Sequence, residues 1–287
     1  MKKQNYIDTW IQMWLTLPQI EGVFLRVLQI SSKELFLLQD IPAKYIYEIQ
    51  KYFYDIASGK PQEYSLEVAN FFGRDFFVDE RVLIPRNDTE ILVKQTRDFI
   101  LLHPEITQWV YVDVGTGSGC IALSVLQEIL PLKFHKSYAI DISQEALFVA
   151  KKNAEKMSQT EVEILSWDLL GGIFSQTGID QRLFCITANL PYIKDGDVEH
   201  MDASVVKHEP HTALFWGKDT WFELYERLIK QCFQLKHLFG VPDIHLFLEI
   251  WFDQYEVSQK LLQDFWLWFE YFQDSARIYR VVHIHGF

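Results

Sequence analysis

The sequence has little cysteine, no long apolar run and no excess of basic residues. Its three cysteines are far apart and form no CxxC pattern, so no disulfide framework is expected and a reducing compartment is favoured. Polar residues interrupt the N-terminal segment where a signal peptide would be apolar, and no stretch approaches the ~18 consecutive apolar residues of a membrane span. We therefore expect a cytoplasmic protein that does not bind a membrane.

The shortage of positive charge bears on the choice of partner. With 27 Lys+Arg against 39 Asp+Glu, the formal net charge is −12. Such a chain has no general attraction to phosphate backbones, and it contains no basic cluster, so nucleic acid is disfavoured as a partner. What is present is an ordinary globular composition: 287 residues, 49% hydrophobic and 23% charged, provide for one large domain or two unequal ones.

Hydrophobic periodicity divides the chain into three parts. Residues 1–68 repeat apolar side chains at three- and four-residue steps and predict a small helical domain. Residues 69–87 contain short β runs around Gly73 and predict a β-hairpin linker. Residues 88–287 alternate strands with helices, which predicts an α/β fold with a doubly wound, mostly parallel sheet and a terminal antiparallel pair of strands. The aromatic residues predicted to lie in a core are Trp10, Trp14, Tyr45, Tyr47, Tyr52, Phe53 and Tyr54 in the helical part and Phe265, Trp266, Trp268 and Phe269 in the sheet.

A glycine-rich segment, DVGTGSG at 113–119, joins the first strand of this α/β part to a helix. Glycines there let the backbone approach a ligand, whose polar part meets the N–H groups of the helix N-terminus. Asp141 ends the second strand, where a carboxylate can accept both ribose hydroxyls, and Asp168 is placed to accept from an adenine amino group. The GxGxG spacing behind an acid favours S-adenosylmethionine over NAD. The residues predicted to hold this cofactor are Asp113, Gly115, Thr116, Gly117, Ser118, Gly119, Asp141, Asp168, Leu169 and Asn189.

The segment Asn189-Leu190-Pro191-Tyr192 follows the fourth strand and is predicted to be catalytic. Methylation of an amide or amino nitrogen requires that its lone pair be freed from conjugation and aimed at the methyl carbon. The Asn189 side-chain oxygen can accept one N–H of the acceptor and the Leu190 carbonyl can accept the other. Pro191 stiffens the turn, and Tyr192 offers an apolar face to a flat substrate group.

Several segments, in order along the chain, resemble the HemK-like peptide chain release factor glutamine methyltransferases, which are N5-glutamine protein methyltransferases. Besides the two motifs above, they are VLIPRNDTE at 82–90, HEPHTAL at 208–214, LEI at 248–250 and DSARIYRVV at 274–282. The resemblance implies a helical substrate-recognition domain over 1–68 and a class I S-adenosylmethionine-dependent methyltransferase domain over 88–287. It implies methylation of the glutamine in the Gly-Gly-Gln motif of a release factor, and thus a role in translation termination.

Carried onto this chain, the resemblance implies that residues 115–119 and Asp141 hold the cofactor and that residues 189–192 hold the glutamine amide. Arg86 and Glu90 would lie near the site. We expect a monomer, and we expect no metal, since His283 and His285 share a strand face but lack a further ligand pattern.

The sequence departs from the family pattern and leaves alternatives open. Leu190 stands where the family usually has proline, and residues 215–220 and Trp251 stand where it usually has glycines. Asn-Leu-Pro-Tyr is also the form of this motif in ribosomal RNA adenine dimethyltransferases, while a ribosomal-protein glutamine methyltransferase and a non-catalytic cofactor-binding adaptor share the fold. The net charge and the segments around Arg86 and Glu209 favour the release-factor enzyme.

Overall fold

A computed structural model describes residues 2–129, 134–159, 161–179, 181–191, 203–214 and 222–287. Its first part is helical, and the apolar faces of these helices meet around Trp10, Phe24 and Phe53. Thr16 and Ser31 cap the second and third helices, each in a reciprocal capping box with the residue three positions later. The helices are α1 (Lys3–Gln12), α2 (Leu17–Leu28), α3 (Ser32–Leu37), α4 (Ala43–Ala57) and α5 (Gln62–Leu66).

The prediction that all seven N-terminal aromatic residues lie in the core is wrong for three of them. Trp10 and Phe53 are buried, whereas Trp14, Tyr47 and Tyr54 are 94%, 83% and 58% exposed. Trp14 lies beyond the end of α1 in a left-handed conformation, so the helical spacing no longer applies to it. Tyr47 and Tyr54 lie two turns apart on the face of α4 that does not carry Phe53.

A short hairpin follows, formed by β1 (Ala69–Phe71) and β2 (Arg74–Phe76). The segment after it packs against α5 and against the α/β part, because Val82 shares an apolar cluster with Tyr64 on one side and Val149 on the other. The Tyr64 hydroxyl also donates to the Val82 carbonyl at 2.6 Å. The hairpin is shorter than the sequence predicts, and the division of the chain at residues 68 and 87 stays a prediction.

The central sheet has seven strands in the order β5-β4-β3-β6-β7-β9-β8. The first five in this order are parallel, and β9 runs antiparallel to both β7 and β8. The predicted α/β fold with a terminal antiparallel pair is therefore confirmed. The strands are β3 (Trp109–Val114), β4 (Phe134–Asp141), β5 (Glu163–Ser166), β6 (Phe184–Ala188), β7 (Ile244–Glu249), β8 (Trp268–Gln273) and β9 (Tyr279–His285).

The strand order reverses at β3, which pairs with β4 on one side and β6 on the other. Open α/β sheets bind ligands in the crevice that such a reversal creates at the carboxyl ends of the strands, here next to β3. Apolar clusters cover both faces of the sheet. The helices of this part are α6 (Glu90–Leu102), preceded by a 3-10 turn at Asn87–Thr89, then α7 (Cys120–Glu128), α8 (Gln144–Lys156), α9 (Ala203–His208), α10 (His211–Leu214), α11 (Glu223–Phe239) and α12 (Tyr255–Asp264).

At the last strands, the hydrophobic pattern predicts burial for residues that are exposed. Trp266 and Trp268 are 90% and 72% exposed, so the prediction that residues 265–269 are core is wrong for both. Trp266 precedes the strand in a left-handed conformation, and among the described strands β8 lies at the edge of the sheet, where it pairs with β9. Among the described helices, none has the length and apolar character needed to cross a membrane.

Candidate active site

A cleft with a volume of about 440 Å³ lies at the carboxyl ends of β3, β4 and β6. Its size is that of a small-molecule pocket. Its lining comes from residues that are distant in sequence and that the sheet topology brings together. They belong to the segments 81–89, 114–121, 141–146, 167–169, 189–191 and 212–213, together with Leu224.

The glycine loop forms one wall of the cleft. Gly115, Gly117 and Gly119 all have positive φ values, of 73°, 55° and 81°, a conformation that favours glycine. A Cβ on Gly115 would lie 2.9 Å from the Leu190 side chain, whereas a Cβ on Gly117 would meet nothing within 4 Å. The loop therefore needs glycine for close packing at its first position and leaves open space at its second.

Asp113 lies beneath the loop, outside the cleft lining. It is fully buried and accepts 2.7 Å hydrogen bonds from the hydroxyls of Thr116 and Thr187. Burial raises the pKa of Asp113 to about 6, and the two hydroxyls oppose that rise. The position of Asp113 indicates that it stabilises the loop. Gly119 is the N-cap residue of α7 and does not line the cleft either. Direct cofactor contact by these two residues stays a prediction.

Asp141 ends β4 and lines the cleft. One carboxylate oxygen accepts from the Gly117 N–H and the other from the Ser143 N–H, each at 2.9 Å. Burial raises the pKa of this carboxyl, and the backbone hydrogen bonds oppose the rise. A carboxylate has about four acceptor positions, and the backbone N–H groups of Gly117, Ser143 and Ile142 use three of them, which leaves capacity for a ligand hydroxyl.

The opposite wall contains Trp167, Asp168 and Leu169. Asp168 is half exposed and forms an ion pair with Arg227, with 2.6 Å between the nearest nitrogen and oxygen. Leu169 is buried with a φ of 51°. The sequence predicted the last two positions and missed Trp167, although its place at the end of the third strand was an available signal.

The acceptor motif lies where the sequence places it, just after β6. Asn189 lines the cleft, and its side-chain amide donates to the Thr89 hydroxyl at 3.3 Å. The Leu190 N–H donates to the Tyr225 hydroxyl at 3.3 Å, and that hydroxyl donates to the Glu249 carbonyl at 2.7 Å. Pro191 also lines the cleft, whereas Tyr192 and residues 215–220 lie outside the described residues.

Arg86 and Glu90, which the resemblance places near the site, have different surroundings. Arg86 lines the cleft and forms an ion pair with the buried Glu209, with 2.5 Å between the nearest atoms. Glu90 accepts the Phe72 N–H at 2.7 Å and thus ties the hairpin turn to α6. The geometry gives Arg86 a place in the site and Glu90 a place in the hairpin anchor.

Of the two histidines considered for a metal, His283 and His285, the first packs against His245 and does not line the cleft. His283 and His245 contact each other at 3.0 Å between ring nitrogens, and burial lowers their pKa values to about 3 and about 4. Their rings pack on Phe99. Within the described part of the chain, no group of three or more potential ligands could hold a metal ion.

Comparison with known proteins gives relatives of high coverage. The chain is 34% identical over 224 residues to a release factor glutamine methyltransferase of Koribacter versatilis, which covers 78% of this chain and 74% of that protein. A release factor glutamine methyltransferase of Enterococcus faecalis is 32% identical over 268 residues, or 91% and 90% of the two chains. The chain belongs to the release factor glutamine methyltransferases.

The fold of this release factor glutamine methyltransferase is also found in solved structures. The human Mettl16 catalytic domain in complex with the MAT2A 3′UTR hairpin 6 superposes with a TM-score of 0.54 at 14% identity, covering 94% of this chain and 92% of that one. No family model matches the chain. The predictions of the family and of a methyltransferase fold are confirmed. The relatives are glutamine methyltransferases, which favours this activity over adenine methylation of RNA.

Proposed function

We propose that this chain transfers the methyl group of S-adenosylmethionine to the side-chain amide nitrogen of the glutamine in the Gly-Gly-Gln motif of a peptide chain release factor. One observation carries the proposal: a single cleft is lined by the glycine loop and Asp141 at one part and by Asn189 at another. A donor and an amide acceptor bound in these two parts would be neighbours. Positioning of this kind supplies most of the rate in such a transfer.

The cofactor side of the cleft suits an adenosine ligand. Gly117 leaves open space beside its backbone, and the Asp141 carboxylate keeps acceptor capacity for a ribose hydroxyl. Trp167 provides a flat apolar wall, and Asp168 can accept from the adenine amino group. When bound, S-adenosylmethionine supplies an electrophilic methyl group and leaves as a neutral thioether.

The acceptor side orients the nitrogen that is methylated. The Asn189 side-chain oxygen accepts one N–H of the substrate amide, and the Leu190 backbone carbonyl accepts the other. These two bonds turn the lone pair toward the methyl carbon. No strong base is needed, since the methylated nitrogen carries a positive charge and releases its proton to solvent water. Pro191 keeps the turn stiff, and we propose Tyr192 as the apolar face against the glutamine amide.

The rest of the molecule fits a protein substrate. We propose that residues 1–68 form the domain that contacts the release factor, that residues 69–87 join it to the methyltransferase domain of residues 88–287, and that the protein acts as a monomer in the cytoplasm. All three cysteines are buried and free, as expected in a reducing compartment.

The test uses the full chain with methyl-labelled S-adenosylmethionine and two substrates: a release factor and naked ribosomal RNA. A release factor with its Gly-Gly-Gln glutamine changed to alanine is the matched control. We expect label on the intact release factor only. Label on the RNA would support an adenine methyltransferase, and cofactor binding without label on either would support an adaptor.

A further inference from the structure

Glu249 is a buried carboxyl group behind the acceptor part of the cleft. It ends β7, is 5% exposed and does not line the cleft itself. Its hydrogen-bonding neighbours are the side chains of Thr89 and Asn189, both of which line the cleft. Among the described residues its second oxygen, Oε2, has no hydrogen-bond partner. Burial of a carboxyl group costs free energy unless the group is hydrogen-bonded, and the side-chain hydrogen bonds of Glu249 come from Thr89 and Asn189.

The direction of the hydrogen bonds matters because the Asn189 carboxamide has two different ends. Its NH2 group donates to the Thr89 hydroxyl. A hydroxyl that accepts there still has one hydrogen to give, and the Glu249 carboxylate beside it can only accept when ionised. Donation therefore runs from the Asn189 NH2 group toward Glu249, both directly and through the Thr89 hydroxyl. With its NH2 group turned to Thr89, Asn189 has its oxygen left for the substrate.

The opposite direction would defeat the proposed chemistry. If Thr89 donated to the Asn189 oxygen, the NH2 group of Asn189 would face the NH2 group of the substrate glutamine. Two donors cannot bond each other, and the substrate nitrogen would lose its orientation. Neither end of a carboxamide is preferred on steric grounds, so a neighbouring charge is what selects one.

We propose that Glu249 and Thr89 are positioning residues that hold the Asn189 carboxamide with its oxygen toward the substrate amide. The inference rests on the proposed function, because it explains how Asn189 can accept from a glutamine side chain. Glu249 does not line the cleft, and both residues act through Asn189 in this arrangement.

The charge state of Glu249 should control this direction. Burial raises its pKa to about 7, while the hydrogen bonds from Thr89 and Asn189 and the charge of Arg280 oppose the rise. Below that pH the protonated carboxyl becomes a donor to Thr89, which then can donate to the Asn189 oxygen. The groups that face Glu249 from the surrounding described elements are Arg280 on β9, Asp88 in the 3-10 turn, Cys120 on α7 and Tyr225 on α11.

Glu249 lies beside Asn189, whereas Asp113, whose pKa burial raises to about 6, lies beneath the cofactor loop. Arg280 is held by ion pairs to Asp88 at 2.9 Å and Asp274 at 3.0 Å. Burial raises the pKa of the Cys120 thiol to about 12, so it stays neutral. We expect the turnover number to increase as the pH rises through about 7 and to level off above it.

The kinetic test compares Glu249→Gln, Thr89→Val and Thr89→Ser in the full chain with a release factor as substrate. Glu249→Gln and Thr89→Val should lower kcat by about 100-fold, because a misplaced acceptor group costs that much, while cofactor affinity measured by calorimetry stays at the wild-type value. Thr89→Ser keeps the hydroxyl and should keep the rate. Glu128→Gln is the matched control, since that carboxylate pairs with Arg74 and Arg97 away from the cleft.

A second measurement does not depend on turnover. In protein labelled with nitrogen-15 at asparagine, the Asn189 side-chain amide signal, assigned with Asn189→Ala, should shift with pH around 7 in the wild type but not in Glu249→Gln. Wild-type kcat and pH profile in Glu249→Gln, or an Asn189 signal without this titration, would overturn the inference. A wild-type enzyme that leaves the release factor unlabelled, yet whose Asn189 signal titrates, would instead refute the proposed function.

Discussion

The two parts of the cleft are built in different ways. On the cofactor side, a contiguous loop provides backbone groups, and both oxygens of Asp113 and of Asp141 accept hydrogen bonds. One bond of each carboxylate comes from the loop, at Thr116 and Gly117, and the other comes from Thr187 and Ser143. On the acceptor side, side chains from distant segments converge, and one oxygen of Glu209 and one of Glu249 lack a partner among the described residues. The carboxylates that hold the cofactor loop thus have partners on both oxygens, whereas each of the two carboxyl groups on the acceptor side has one oxygen without a partner among the described residues.

Removal of the Asn189 side chain should have the largest effect, and it should impair the acceptor side of the cleft without impairing the cofactor side. In Asn189→Ala we expect kcat to fall at least about 100-fold, because the substrate amide loses one of its two orienting acceptors. Cofactor affinity should change little, since the loop and Asp141 stay in place. Single-turnover rates with a labelled cofactor, beside calorimetric titration of S-adenosylhomocysteine, measure both quantities. Undiminished turnover would remove Asn189 from the acceptor site.

Asp141→Ala should instead impair the cofactor side of the cleft. Loss of a carboxylate that accepts ribose hydroxyls should weaken cofactor binding by about 1.5–3 kcal/mol, the range for hydrogen bonds to a charged group. The same change frees the Gly117 and Ser143 N–H groups, so part of the loss reflects the loop. Asp168→Ala is a useful comparison, because this half-exposed residue pairs with Arg227 and holds no part of the loop. Equal affinity in wild type and Asp141→Ala would contradict the assignment.

The sequence predicts the residues of the cofactor side better than the contacts behind the acceptor side. The cofactor side was predictable because its glycines, the acid before them and Asp141 follow strand ends that periodicity locates well. Asn189 was predictable for the same reason. The contacts of Thr89 and Glu249 with it were not, because they come from a 3-10 turn and from β7, which meet Asn189 only after the sheet has formed.

Several aromatic residues that the sequence pattern predicts to be buried are exposed in the structure. Trp14, Tyr47, Trp266 and Trp268 match apolar patterns, yet all four are largely exposed. Periodicity reports which residues share a face but not whether another element covers that face. At an edge strand such as β8, or beyond the end of a helix such as α1, the covering element is missing within the described structure.

The packing of the cofactor loop against the acceptor motif can be tested with a pair of glycine changes. Gly115→Ala should destabilise the protein by about 2 kcal/mol, because its φ of 73° strains an L residue and its Cβ would meet Leu190 at 2.9 Å. Gly117→Ala carries strain from its φ of 55° but meets nothing within 4 Å, so it should cost less. Urea denaturation of both variants measures the difference. Equal losses would show that Leu190 does not press on the loop.

The smallest expected effect concerns the departure at position 190. A leucine there has an N–H, and it donates to the Tyr225 hydroxyl, which the family's usual proline cannot do. Tyr225→Phe removes this bond together with the 2.7 Å bond to the Glu249 carbonyl, and the bond to Leu190 should account for about 1 kcal/mol of the lost stability. In a Leu190→Pro background the same change should cost less, because the N–H is already absent, and the double-mutant cycle isolates that bond. A cycle with no coupling would mean that Leu190 replaces proline without a compensating hydrogen bond.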